Sequence, residues 1–389
     1  MIQTIDISAL LPGMYVLKVT KQNGKLKVTE SGKVKDAEVI ATMQKKGVLE
    51  VQVDLEKSTH QALEEGLIHD KDYTNSAGLT YNQQLELSLQ LHDQAKSIHK
   101  KVVKRASKGK LIHLEEANEI TEKLVTSAFE CDEALSLVTL LNEDPEYFLE
   151  HSINCALLII IFGKYLGLEK SVLHHLGKGA LLMDIGMMKL PLLLTQKQGT
   201  LTSSEQKKMQ THVDIALNLI EPIEQIDDIS IKVVKEHHER LDGSGYPDGL
   251  RDKQISLYGR MAAIVDTYDS IITERPYRDA IHPTQALLKI SNEIEGLDKE
   301  LTNKFVTCLG AYPIGCLVKL NNNKLAMVTR LNKDHPLEPV VMVFYDINTR
   351  NNAPNRIDLT KVDVEISACI SLDDVNLSMK QLLQKSFES

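Results

Sequence analysis

The sequence predicts a mainly α-helical protein, with a central all-helical domain flanked by a small N-terminal α+β domain and a small C-terminal β-rich domain. Three features carry this reading. Short runs alternate apolar and polar residues up to about Leu55. From about Tyr81 the apolar period lengthens to that of a helix and holds to about Leu309. After Gly310 short β-rich runs return.

The elements follow in order. MYVLKV and KLKVTE read as strands separated by the turn formers QNG. AEVIATMQKKGV reads as a helix ending at Gly47, and LEVQVDL returns to period two. KDYTNSAGLT is rich in turn formers and reads as a linker. Beyond it Leu85, Leu89, Leu91, Ile98 and Val102 line one side of a helix. The six basic residues from Lys100 to Lys110 read as a solvated helix end. GCLVKL, KLAMVTRL and PVVMVFYDI read as strands joined by NNN, by the segment around Asp334 to Pro339, and by NTRNNAPN. A short helix near Val375 to Gln384 closes the chain. The expected divisions are 1–75 for the N-terminal domain, 76–140 for helices leading into the core, 141–310 for the central domain and 311–389 for the extension.

Composition excludes several classes. With 42% hydrophobic and 25% charged residues the chain is neither disordered nor collagen-like. Its 54 acidic residues against 45 basic ones, a net charge of −9, disfavour nucleic-acid and membrane partners, which are polyanions. The start, MIQTIDISALLPG, lacks the basic and apolar regions of a secretory signal. The most apolar run, Cys155 to Phe162, is shorter than the ~20 residues of a membrane span. Five cysteines without a CxxC pair make neither a disulfide framework nor a thiolate zinc site. The expectation is a cytoplasmic protein, free to form a homodimer.

The chemistry concentrates in the helical region. His151, His212, His237 and His238 are dispersed there with Asp184 and Asp266. Helix packing can gather such residues into a metal site built from inward-facing side chains. Imidazole and carboxylate donors suit iron, manganese or zinc rather than calcium. On spacing alone, a lone histidine in a helix is more often a surface or hydrogen-bonded core residue.

The turn His237-His238-Glu239-Arg240-Leu241-Asp242-Gly243-Ser244-Gly245-Tyr246-Pro247 changes the balance. It resembles the signature of the HD-GYP family, a branch of the metal-dependent HD phosphohydrolases. EYFLEHSINCALL is similar to that family's first metal-binding helix, LTSSEQKKMQTH to its third, and RMAAIVDTYDSIITERPYR to the helix after the signature. The N-terminal unit is similar to an uncharacterised domain often fused before HD-GYP, and YPIGCLVKL onward to a β extension often found behind it. The resemblance implies hydrolysis of cyclic di-GMP, a bacterial second messenger, to the linear dinucleotide or GMP. It implies a divalent metal centre of iron or manganese, with metal polarising a phosphoryl oxygen and lowering the pKa of the attacking water. By motif position the ligands would be His151, Asp184, His212, His237, His238 and Asp266, with Asp184 bridging. Tyr147 stands where family members with a third metal carry Glu, which implies two metals at most. Gly245, Tyr246 and Pro247 would lie beside the nucleotide, and Arg275 and Arg278 would contact its phosphates. The signature loop is also implicated in contacts with GGDEF proteins, the synthases of the messenger.

The sequence departs from that pattern at two places. The family's His-Asp pair followed by Ile-Gly-Lys reads Met183-Asp184-Ile185-Gly186-Met187 here. A thioether is a poor ligand for hard divalent ions, so one metal should be weakened. Lys189 sits about 200° round a helix from position 187 and cannot take over the lost lysine's role, and His174 and His175 lie too far upstream. Among the acids nearby, Asp269, Asp279 and Glu239 read as surface or supporting groups, with Glu239 expected to orient a ligand histidine. The leading expectation is a weak or inactive phosphodiesterase that serves as a nucleotide-binding or protein-docking regulator. The competing expectations are an active metal-dependent phosphodiesterase and a helical scaffold whose histidines are relics.

Overall fold

Alternation in the first fifty residues becomes an antiparallel sheet of order β1-β4-β2-β3, formed by Ile2–Asp6 (β1), Tyr15–Gln22 (β2), Gly32–Lys33 (β3) and Val48–Asp54 (β4). The computed structural model describes residues 2–7, 10–23, 31–54, 57–58, 78–108, 114–140, 147–224, 226–273, 280–348, 350, 355–375, 379 and 381–383. The expected strand KLKVTE, most of the expected linker and half of the expected closing helix lie outside them, while Leu372–Val375, Met379 and residues 381–383 are helical. One helix, Ala37–Lys45 (α1), begins where the Asp36 carboxylate accepts the Val39 amide at 3.0 Å. Val16, Val51, Val53, Met14 and Met43 form a small core with it. The local sequence pattern does not mark β1. It pairs with β4, far along the chain, and exposes Ile2 by 60%, so its own pattern is weak.

The chain divides into two units. One gathers Met1–Tyr73, Leu317–Ile370 and Gln381–Ser389, and the other Thr74–Cys316 with Ser371–Lys380. The first also holds a second antiparallel sheet of order β8-β7-β6-β5-β9: Leu317–Leu320 (β5), Lys324–Arg330 (β6), Val340–Asp346 (β7), Asn355–Asp358 (β8) and Ile366–Ile370 (β9). Buried Val340 to Phe344 explain the continuous apolar run of β7. The two edge strands, β8 and β9, were not foreseen.

The second unit is helical. It comprises Tyr81–Ser107 (α2), Leu114–Glu130 (α3), Asp132–Val138 (α4), Tyr147–Tyr165 (α5), Lys170–Leu182 (α6), Leu192–Thr195 (α7), Ser203–Gln210 (α8), His212–Ile220 (α9), Asp228–Glu236 (α10), Leu257–Ile272 (α11), Pro283–Asn292 (α12) and Lys299–Leu309 (α13), with a 3-10 turn at Ile185–Lys189. Side-chain caps set several starts: Thr80 for α2, Thr202 for α8, Asp227 for α10, Ser256 for α11 and Asp298 for α13.

Helix α5 is the axis of this unit. It packs on α6 and α11, and Phe162 meets Phe305 edge-on at 5.1 Å. Its window Phe148–Tyr165 is long and apolar enough to cross a membrane, but 83% of it is buried against neighbouring helices, as in a core helix.

Candidate metal centre

Five segments converge at one point of the helical unit. His151 comes from α5, Asp184 from the start of the 3-10 turn, His212 from the first position of α9, His237 and His238 from the end of α10, and Asp266 from α11. Gly186 makes the convergence possible. A Cβ there would stand 1.9 Å from the His212 carbonyl oxygen, so only glycine lets the turn meet the start of α9.

Asp184 faces both ways. Its Oδ2 lies 3.5 Å from His151 Nε2 and its Oδ1 lies 3.4 Å from His212 Nε2. On the first side His151 Nε2 is also 3.0 Å from Asp266 Oδ1. On the second, His212 Nε2 and His237 Nε2 are 3.5 Å apart. Asp184, His212, His237 and His238 offer ligand atoms that all lie within 4.8 Å of one another.

Protonation suits a cation. His212 Nδ1 donates to the Met209 carbonyl and His237 Nδ1 to the Val234 carbonyl, both at 2.8 Å. A carbonyl only accepts, so in each neutral ring Nδ1 carries the proton and Nε2 turns its lone pair into the cluster. Burial lowers the pKa of His237, and burial with the neighbouring His237 ring lowers that of His238 further. His151 goes the other way. Burial lowers it, but Cys155 and the hydrogen bonds to Asp266 and Asp269 outweigh that and hold it well above its usual value. Burial raises the Asp266 pKa, yet the His151 hydrogen bond and the three neighbouring histidines bring it far below the carboxylate range. The inward-facing Nε2 atoms of His212 and His237, with the Asp184 and Asp266 carboxylates beside the histidines, are a donor set that fits a divalent metal ion.

Beside the cluster, the signature loop folds onto the histidine pair. The Tyr246 ring packs 4.6 Å from that of His238, and burial, then Asp266 and Asp184, raises its phenol pKa. A Cβ on Gly245 would meet the Arg240 amide nitrogen at 2.5 Å and the His238 carbonyl at 2.6 Å, so glycine is required where the loop crosses its own start. The Tyr246-Pro247 bond is cis. The Glu239 carboxylate accepts the amides of Asp248, Gly249 and Leu250 at 2.8, 3.1 and 2.9 Å. That corrects the expectation for Glu239: it holds the loop and does not orient a histidine.

Orientation of a histidine falls to Asp269, fully buried, whose Oδ2 is 2.7 Å from His151 Nδ1. The sequence held a signal for it, since Asp266 and Asp269 are three apart on a helix and share a face. Arg275, Arg278 and Asp279 lie outside the described residues. Of the two methionines, Met183 is 1% exposed and belongs to the apolar core, while Met187 is half-buried on the turn. Lys189 donates to the Ser107 carbonyl at 2.9 Å, and His174 and His175 engage the Asn118 carbonyl and Asp227.

Residues 136–301 match the HD domain family. The helical unit carries an HD-GYP domain. Residues 2–117 match a domain of unknown function, and residues 317–375 match a KOW domain associated with HD domains. The chain is 30% identical over 267 residues to a cyclic di-GMP phosphodiesterase of Pseudomonas aeruginosa, covering 69% of this chain and 64% of that one. It is 24% identical over 196 residues to a cyclic di-GMP phosphodiesterase of Borreliella burgdorferi, covering 50% and 52%. A 3'3'-cGAMP-specific phosphodiesterase of Vibrio cholerae is 30% identical over 141 residues, covering 36% of this chain and 30% of that one. The alignments therefore span less than two thirds of these relatives. In fold, an HDG"Y"P protein of Bdellovibrio bacteriovorus superposes with a TM-score of 0.50 at 16% identity, over 78% of this chain and 98% of that one.

The HD-GYP domain thus presents a His/Asp cluster that could hold a divalent metal ion, with a half-buried tyrosine and a fixed loop at its edge. At the position after Leu182, the Met183 thioether is packed into the apolar core.

Proposed function

We propose that this HD-GYP domain binds a cyclic dinucleotide of the cyclic di-GMP type and hydrolyses it slowly or not at all, serving as a nucleotide-responsive or protein-docking regulator. His151, Asp184 and Asp266 would hold one ion, and Asp184, His212, His237 and His238 a second. Iron or manganese suits these donors. Such ions supply Lewis acidity toward a phosphodiester.

The observation that carries the reading is Met183. Its thioether is a poor donor for a hard divalent ion and is packed in the apolar core, 1% exposed, so the His151 side would be left with three strong protein ligands. The missing lysine at Met187 removes a charge-assisted phosphate contact worth about 1.5–3 kcal/mol when desolvated. This chain's remaining residues would position the ligand: Tyr246 packs at the cluster's edge, and Glu239 fixes the loop backbone that would meet the nucleotide or a GGDEF partner. The competing reading, an active phosphodiesterase, is favoured by the intact His212 side, whose Nε2 atoms already face inward.

Purified full-length chain supplied with Mn(II) or Fe(II) and labelled cyclic di-GMP or 3'3'-cGAMP tests this. Saturable retention without product is expected. Rapid product formation supports the competing reading, and neither retention nor product leaves a helical scaffold.

A further inference from the structure

Arg240 stands two residues beyond His238, in the turn where α10 ends. Its side chain is half-buried and folds back on that end. One nitrogen, Nη1, donates to the carbonyls of His237 and Glu239 at 3.3 and 2.9 Å, and Nη2 donates to Thr267 Oγ1 at 3.3 Å. Thr267 directly follows Asp266, and its hydroxyl is held in α11 by donating to the Ala263 carbonyl at 2.6 Å. One fork therefore reaches from the carbonyl of a cluster histidine to the neighbour of a cluster carboxylate on another helix.

The last carbonyls of a helix have no partner inside it, and the helix dipole favours a cation beside them. In α10 those carbonyls belong to the turn that carries the histidine pair. Without a donor the turn would be free to fray, and both rings would move with it. Lysine is no equivalent: it is a point charge on a flexible stem, whereas guanidinium is a rigid planar fork. The fork also has a built seat. Gly296, between α12 and α13, has φ +79°, and a Cβ there would stand 2.8 Å from Arg240 Cβ and 3.3 Å from its Cδ. The Gly296 carbonyl accepts the next amide, that of Leu241, at 2.8 Å.

We infer that Arg240 is a positioning residue of the metal centre: its fork holds the end of α10, with His237 and His238, at a fixed distance from α11, with Asp266. The inference rests on the reading that the His/Asp cluster holds metal. It deepens that reading by giving the two halves of the centre a common brace, since the histidine pair belongs to the His212 side and Asp266 to the His151 side.

The test is the Mn(II) affinity of the full chain and the visible spectrum of its cobalt(II) form, wild type against Arg240→Met, Arg240→Lys and Thr267→Val. Methionine fills the space of the stem without the fork, lysine keeps the charge alone, and valine cuts only the α11 end. Both Arg240 variants should bind Mn(II) at least about tenfold more weakly, with a changed cobalt spectrum that reports displaced ligands. Thr267→Val should show a smaller fall and a spectrum altered in the same sense. A lower melting temperature in chelator with unchanged affinity and spectrum would make Arg240 a purely structural residue and overturn the inference. Full affinity in Arg240→Lys would overturn it too, because charge alone would then suffice. Should both Arg240 variants misfold, Thr267→Val decides, and unchanged affinity and spectrum there overturn the inference while the metal reading stands. A wild type that binds no Mn(II) overturns the metal reading and the inference together.

Discussion

Asp269 Oδ2 lies 2.7 Å from His151 Nδ1, and the opposite nitrogen of the same ring faces Asp266 at 3.0 Å and Asp184 at 3.5 Å. One buried carboxylate thus fixes the ring that two others address. Such supporting carboxylates orient a ligand histidine and raise its basicity.

Asp269→Asn keeps the shape of the side chain and removes its charge. Metal affinity on the His151 side is expected to fall by about 10–100-fold, with the helical content unchanged. Calorimetric titration with Mn(II), alongside circular dichroism, checks both. Unaltered affinity would show that the contact only fills space.

Glu239 accepts three consecutive loop amides. Charge-assisted hydrogen bonds of this kind contribute about 1.5–3 kcal/mol. Glu239→Gln should therefore leave the amides of Asp248, Gly249 and Leu250 exchanging with solvent at least about tenfold faster, while α5 and α11 stay protected. Hydrogen exchange resolved to these residues reads the difference.

Gly186→Ala should couple stability to metal binding. The added methyl would sit against the His212 carbonyl, so α9 must shift. Overpacking costs about 1–3 kcal/mol, several degrees of Tm at about 2–4 °C per kcal/mol. A parallel loss of Mn(II) affinity is expected because His212 moves with its helix.

His92 gives the pH dependence a sign. It is 3% exposed, its Nε2 has no hydrogen-bond partner among the described residues, and burial, then Lys96, lowers its pKa to about 4. The folded state keeps the ring neutral while the unfolded chain takes up a proton below about 6.5. Stability is thus fully present above that pH and lost as pH falls toward 4, by about 3 kcal/mol at about 1.36 kcal/mol per pH unit. His92→Leu should melt no lower than wild type at pH 7 and lose less between pH 7 and 4.5. An identical acid loss in the two proteins would refute the assignment.

Much of the fold was legible because periodicity reports burial. The change at Tyr81 marks the start of α2, and Leu309 the end of α13. Edge strands β1, β8 and β9 were not, since each is short and defined by a partner elsewhere in the chain. The six residues of the cluster were legible through the motif rather than through spacing. The sequence favoured Glu239 over Asp269 for orienting a histidine because an acid's partners depend on helix packing and loop closure, which one-dimensional spacing does not encode.

The most direct test is turnover of cyclic di-GMP by wild type and by Met183→His/Met187→Lys at equal Mn(II) loading. Little or no product from wild type and a gain of at least about tenfold in the double variant are expected, the gain matching the lower end of the lost phosphate contact. Fast, saturable hydrolysis by the unmodified chain, with no gain on restoring the two residues, would contradict the account.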